Sequence, residues 1–170
     1  FLLFFANSAV RPMRPYIVKS EGAGEHGRMI KLSDSTSRVV SLMLAMVIVP
    51  LYINMPLVLE VWLAEVPYGA LEFCRGFLLV VLIGQLSIGL QIALESVGRI
   101  KRLHLIVGTM HILPIPAAYI CFKCGLPYYY MIYCLVAEEV LCLFFRAYIT
   151  WKDAEYPMKP FVFGHILPCV

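Results

Sequence analysis

Apolar positions along this chain come in long uncharged runs. Val39–Leu59 is 21 residues without Asp, Glu, Lys or Arg, Phe77–Leu94 is 18 and Leu103–Phe122 is 20. At 1.5 Å rise per residue, about 20 helical residues cross a hydrocarbon core of about 30 Å. Each run therefore predicts a membrane-crossing helix. Gly125–Phe145 predicts a fourth, interrupted in its middle by Glu138 and Glu139. Apolar runs also open and close the chain, FLLFFA from Phe1 and FVFGHILPCV up to Val170.

The expected fold class is all-α integral membrane, a polytopic helical bundle. Full spans are expected at about 37–61, 73–96, 103–122 and 127–149, and partial spans at 1–10 and 160–170. The polar segment 12–36 reads as a connector, with a Gly-rich turn at Gly22–Gly27 and a short amphipathic, helix-forming piece after it. Both ends fall inside apolar runs, so the chain reads as a piece of a longer protein. Phe1–Ala6 is too short, and lacks the basic flank, for a cleavable signal peptide. Pro50 and Pro56 interrupt the first span, and Pro114 and Pro116 the third. In lipid such breaks persist where neighbouring helices or water satisfy the freed backbone groups. They predict kinked helices, either as plain structural kinks or lining a cavity.

Composition supports the lipid reading. Hydrophobic residues make up 61% of the 170 and charged ones 15%, against about 25% charged in soluble domains. A soluble domain of this size leaves roughly 30% of its unfolded-state surface exposed, which is hard to reconcile with so few polar residues. Basic residues then orient the spans, because they are retained on the cytoplasmic side. Arg11, Arg14, Lys19, Arg28, Lys31 and Arg38 precede or open the first span. Arg99, Lys101 and Arg102 fill the turn after the second, and Arg146, Lys152 and Lys159 follow the fourth. Twelve of 14 basic residues thus fall on alternate connections, with Arg75 and Lys123 the exceptions. The turn ESVGRIKR is expected in the cytoplasm, its basic residues acting as topology anchors.

Polar groups inside the spans are the candidate site. In the second span Gly84, Ser87, Gln91 and Glu95 recur at three, four and four residues, which places them on one helical face. Such a face either lines a watery cavity or forms a small-residue packing seam. Glu138 and Glu139 are more demanding. A carboxylate at mid-membrane costs about 2.5–3.5 kcal/mol on insertion scales, while each large apolar residue returns only ~0.3–0.6. Adjacent helical residues also lie about 100° apart, so the two cannot face one direction squarely. Interior orientation, protonation, or a basic partner from outside this chain would resolve the cost. Intramembrane carboxylates are candidates for proton or cation coupling. Ser87, Gln91, Glu95, Glu138 and Glu139 are therefore the translocation-path candidates. Arg11 and Arg14, at the exit of the first partial span, are candidate contacts for lipid phosphate, or simple positive-inside anchors.

Other chemistry is thin. The six cysteines suggest no disulfide framework, and Cys121–Cys124 is a lone CxxC, a weak metal or redox signal. His26, His104, His111 and His165 do not cluster in sequence. The chain has no glycine-rich phosphate loop, zinc-protease helix or nucleophile elbow, and its basic residues lack the aromatic interleaving of a nucleic-acid surface. No catalytic residue, metal site or cofactor is expected, and a transporter is favoured over an enzyme.

The order of motifs resembles a known family. The connector RPYIVKSEGAGEHGRM resembles an N-P-x-I-x-K-x-Y-A-x-G-(D/N) motif, with Arg14 in place of the usual Asn and Glu21 of the Tyr. Val49–Leu51 leads to LVLEVWLAEVP (Leu57–Pro67); ESVGRIKRLHLIVG and LPIPAAYICFKCGLP then follow in collinear order. These resemble bacterial polysaccharide and O-antigen flippases of the Wzx-like type, in the exporter superfamily that includes the MATE antiporters. The resemblance implies two six-helix bundles related by pseudo-symmetry, with this chain forming most of the second. It implies movement of undecaprenyl-pyrophosphate-linked oligosaccharide across the inner membrane by alternating access, with H+ or Na+ as coupling ion. Membrane lipids and glycan polymerase or ligase neighbours would be its partners, in capsule or lipopolysaccharide assembly. No family motif covers Glu138–Glu139, so ion coupling there is an expectation from the residues alone. The runner-up is a MATE-type cation-coupled exporter of small molecules. A membrane-embedded enzyme of the same pathway would need a large outer loop or a catalytic His/Asp set, and a non-transporting scaffold is the remaining class.

Overall fold

A computed structural model describes residues 2–98, 100–127 and 129–154. Among these, all regular structure is helical, in the order α1 Leu2–Val10, α2 Arg14–Gly22, α3 His26–Ile53, α4 Met55–Trp62, α5 Ala70–Leu86, α6 Ile88–Ser96, α7 Ile100–Met110, α8 Pro114–Lys123 and α9 Tyr130–Ala154. Arg99 and the expected partial span at 160–170, with Lys159 and His165, lie outside the described residues.

Three helical stretches are long and apolar enough to cross a membrane: His26–Ile53, Ala70–Ser96 and Ile100–Lys123. The fourth expected span, α9, is 25 residues long but carries Glu138, Glu139 and Arg146. The connector is more helical than its sequence suggests. It holds α2, and α3 begins at His26, well before the uncharged run that starts at Val39. Three of the four prolines mark the helix ends. Pro50 sits inside α3, which ends at Ile53, and Pro56 falls in the first turn of α4. Residues 111–113 form a turn and Pro114 opens α8, where its missing N–H is not needed. The second span breaks at Ser87 without a proline.

The α3 stripe Met29, Ser33, Thr36, Ser37, Val40, Ser41, Leu44 and Ile48 is buried, at the three- and four-residue spacing of one helical face. Half of it is hydroxyl-bearing. Thr36 Oγ1 donates to the Leu32 carbonyl at 2.7 Å and Ser41 Oγ to that of Ser37, so these hydroxyls are satisfied within the helix. Their small size lets α6 approach closely. The break at Ser87 frees the first amides of α6, and Gly89 N–H donates to Ser37 Oγ at 2.8 Å. A Cβ on Gly89 would collide with the Ser33 carbonyl oxygen and Ser37 Oγ. Gly76 on α5 makes the same kind of approach to Ile132 on α9. With α5 and α6 held between α3 and α9, the core runs along these helices. The ESVGRIKR turn reverses at Gly98, whose φ of 77° lies in the left-handed region that favours glycine.

Arg75, an exception to the alternating basic pattern, has a local role. Its Nε donates to the Tyr52 carbonyl at 3.2 Å, and its guanidinium lies 5.3 Å from the Tyr52 ring centre. The end of α3 leaves carbonyls without helical donors, and Arg75 satisfies one of them.

Candidate functional site

The site is organised by α9, which buries Glu138 and Glu139 and turns them toward different neighbours. Glu138 faces the break between α7 and α8. Its Oε1 lies 3.0 Å from His111 Nδ1 and accepts a hydrogen bond from Cys142 Sγ, one turn along α9, at 2.9 Å. Glu139 faces the break between α5 and α6. Its Oε1 lies 3.2 Å from Arg146 Nη1, which donates also to Ser87 Oγ at 2.7 Å. Ser87 Oγ in turn donates a hydrogen bond to the Gly84 carbonyl at 2.9 Å. Gly84 is small where it must be, because a Cβ there would sit 3.1 Å from Glu139 Oε1. The Arg146 and Glu139 side chains are only 12% and 9% exposed, so this is a nearly dry ion pair.

The polar face of the second span continues the seam. Gln91 Nε2 donates to Glu95 Oε1 at 3.1 Å, and Glu95 Oε2 lies 3.4 Å from Arg14 Nη1 on α2. Beside Gln91 and Arg146 opens a cleft of about 240 Å³, lined also by Leu103, His104, Val107, Gly108 and His111. Gln85 Oε1, beside this face, is buried without a hydrogen-bond partner among the described residues.

The structure divides the sequence-derived path candidates into three groups. Ser87 joins Glu139, while Gln91 and Glu95 join Arg14; Glu138 turns away to His111. Arg14 is thus half-exposed and tied to Glu95, and Arg11 is exposed. Two expectations are corrected. Arg146 does not lie in a connection after the fourth span: it is within α9 with its side chain only 12% exposed, because Glu139 and Ser87 give its guanidinium partners. The basic partner for the paired carboxylates accordingly comes from this chain and not from outside it. Of the CxxC cysteines, Cys121 Sγ lies 3.9 Å from Cys134 Sγ on α9 and Cys124 is exposed.

Sequence reasoning missed His111, Cys142 and Arg146 as site residues. A signal existed for two of them: Glu138, Cys142 and Arg146 follow at four-residue steps, which is one face of a helix. His111 sits just before Pro114, but nothing in its own spacing points to α9. The chain matches no protein-family model, and comparison with curated proteins and with solved structures yields no match.

Proposed function

We propose that this chain is part of a polytopic membrane transporter that flips a lipid-linked oligosaccharide, the undecaprenyl-pyrophosphate class implied by the motif resemblance, across the bacterial inner membrane. The observation that carries the transport reading is the buried Glu139–Arg146–Ser87 centre, set beside a helix break and next to a cleft. A scaffold has no use for a nearly dry ion pair beside a cleft, and intramembrane charges mark substrate and ion pathways. The distribution of side chains favours lipid around it. Met46, Val61 and Trp62 are about four-fifths exposed, while Ser33, Ser37, Thr150, Glu138 and Glu139 are buried.

The centre suggests how coupling would work. An arriving pyrophosphate would compete with Glu139 for the Arg146 guanidinium, which suits phosphate oxygens. Freeing Glu139 from Arg146 would give the loaded and empty states different contacts, and that differential would bias alternating access. Gly84 and the small face around it leave room for that movement.

Complementation of flipping by the full-length protein carrying Glu138→Gln, Glu139→Gln or both tests this reading. Loss or uncoupling of transport is expected. Unchanged transport in both single variants and the double would sink it. A second reading is favoured by the size of the cleft. At about 240 Å³ it admits an ion or a small cation, whereas drug-sized ligand sites run to ~300–1,000 Å³. A cation-coupled exporter of small molecules follows if lipid-linked repeat units do not accumulate in the cytoplasmic leaflet when the gene is deleted.

A further inference from the structure

The Glu138 side of α9 has a chemistry that transport of a glycan does not require. His111, Glu138 and Cys142 present an imidazole nitrogen, a carboxylate oxygen and a thiol sulfur, all within 4.8 Å of one another. We propose that these three side chains bind a divalent transition-metal ion of the Zn²⁺ class. The donors come from two rigid sources. Glu138 and Cys142 stand four residues apart on one face of α9, a chelating spacing, and His111 is delivered by the turn that separates α7 from α8.

Geometry, charge and access agree with that ion. In a tetrahedral zinc site, bonds of about 2.0–2.3 Å place donor atoms ~3.3–3.6 Å apart. Here the carboxylate oxygen stands 3.0 Å from the imidazole nitrogen and 2.9 Å from the sulfur, with all three donors within 4.8 Å of one another, so an ion is held after side-chain shifts of about half an ångström to an ångström. Sulfur and imidazole donors select zinc-like ions over Mg²⁺ and Ca²⁺, which prefer all-oxygen shells. A carboxylate and a thiolate together carry two negative charges, matching a divalent cation and leaving a neutral buried unit. Arg146, the cation next along the same face, is already neutralised by Glu139. Glu138 is 7% exposed but the His111 side chain is 48% exposed, and the imidazole lines the 240 Å³ cleft. An ion would therefore enter through that cleft, with the fourth coordination position left to water.

Binding is an exchange of protons for metal. The Cys142 thiol, which now donates to Glu138, gives its proton to solvent and bonds the metal as thiolate. His111 and Glu138 bond the metal through a ring nitrogen and a carboxylate oxygen, and no electron moves. The proposal stands apart from the transport reading, because its readout is a spectrum and not a flux.

Titration of the detergent-purified full-length protein with Co²⁺ tests it, since cobalt substitutes for zinc and reports its ligands by absorption. One equivalent should produce a thiolate-to-cobalt charge-transfer band with the strong visible bands of tetrahedral Co²⁺, and Zn²⁺ should abolish both. Cys142→Ser should remove the charge-transfer band. His111→Gln and Glu138→Gln should each weaken binding at least about tenfold, in line with loss of one ligand. Six cysteines are present in all, so a variant with every cysteine except Cys142 replaced by serine should keep the band. The proposal is overturned if the wild-type protein gives no thiolate band at saturating Co²⁺. It is equally overturned if the band survives Cys142→Ser.

Discussion

Replacing Arg146 with methionine removes the cation from the dry end of the site and leaves Glu139 facing Ser87 and Gly84 alone. The size of the effect follows from the geometry. Opposite unit charges 3.2 Å apart attract by ~5 kcal/mol at an effective dielectric of about 20. Breaking such a buried pair from one side costs about 3–5 kcal/mol, because the remaining charge is left uncompensated. Arg146→Met and Glu139→Gln should therefore each destabilise the protein strongly. At roughly 2–4 °C per kcal/mol for a chain of this length, each should lower the melting temperature by about 6–20 °C. The double variant should recover most of the loss, since no charge is then stranded. Thermal unfolding of the detergent-solubilised protein, read as the fraction that stays monodisperse after heating, measures all four corners of the cycle. A coupling energy of about 3 kcal/mol is expected. If the two losses simply add within ~0.5 kcal/mol, as distant independent sites do, the ion pair described here is not formed and the reasoning fails.

The same four proteins separate stability from transport. The double variant should be nearly as stable as the wild type and yet inactive, because it lacks the arginine that would exchange a carboxylate for an anionic headgroup. Full transport by the double variant would refute the role given to Arg146, whatever its melting temperature.

Gly89→Ala should destabilise the protein by about 1–3 kcal/mol through overpacking against the α3 backbone, whereas Gly108→Ala, with nothing within 4 Å of the added Cβ, should be neutral or stabilise by up to ~1 kcal/mol through helix propensity; thermal unfolding ranks the pair. Arg75→Met should cost about 2 kcal/mol, from a charged hydrogen bond to the Tyr52 carbonyl and the contact with its ring; a melting temperature equal to that of the wild type would count against the cap. Mild oxidation should join Cys121 to Cys134, whose sulfurs start 3.9 Å apart, in preference to Cys121 and Cys124. Peptide mapping identifies the bond, and a Cys121–Cys124 product would contradict the packing of α8 on α9.

The sequence was most legible where one helix decides the outcome. Uncharged runs located the long helices, Pro56 and Pro114 located two of their breaks, and the four-residue steps of Ser87, Gln91 and Glu95 placed them on one face. Legibility failed where two helices must meet. Nothing in the spacing of His111 relates it to Glu138, and Ser87 gives no sign that it will accept a hydrogen bond from Arg146 59 residues away. Arg146 itself was misplaced by a rule that reads basic residues as anchors. That rule assumes an unpaired charge seeking water, and it does not hold for an arginine seven residues from a buried glutamate on the same helical face. The early start of α3 has a related cause. His26–Arg38 is polar in composition, but its Met29, Ser33, Thr36 and Ser37 are buried against neighbouring helices, and packing rather than apolarity sustains the helix there.

Two adjacent carboxylates on α9 face unlike partners, and the difference assigns them unlike work. Glu139 is matched to a guanidinium, which keeps its charge under all conditions a protein meets. That pair can separate only if something else engages one of its members. Glu138 is matched to an imidazole and a thiol, both of which can lose a proton and accept a metal. Its partners can therefore change their own chemistry without a change in helix packing. Because the two carboxylates diverge by about 100° around α9, one side can respond while the other holds. Glu138→Gln should accordingly cost no more than about 1 kcal/mol of stability, while weakening metal binding at least about tenfold and altering transport. Glu139→Gln should do the reverse in order of severity, with the loss of stability dominating. Equal thermal losses in the two variants would mean that α9 does not divide the site in this way.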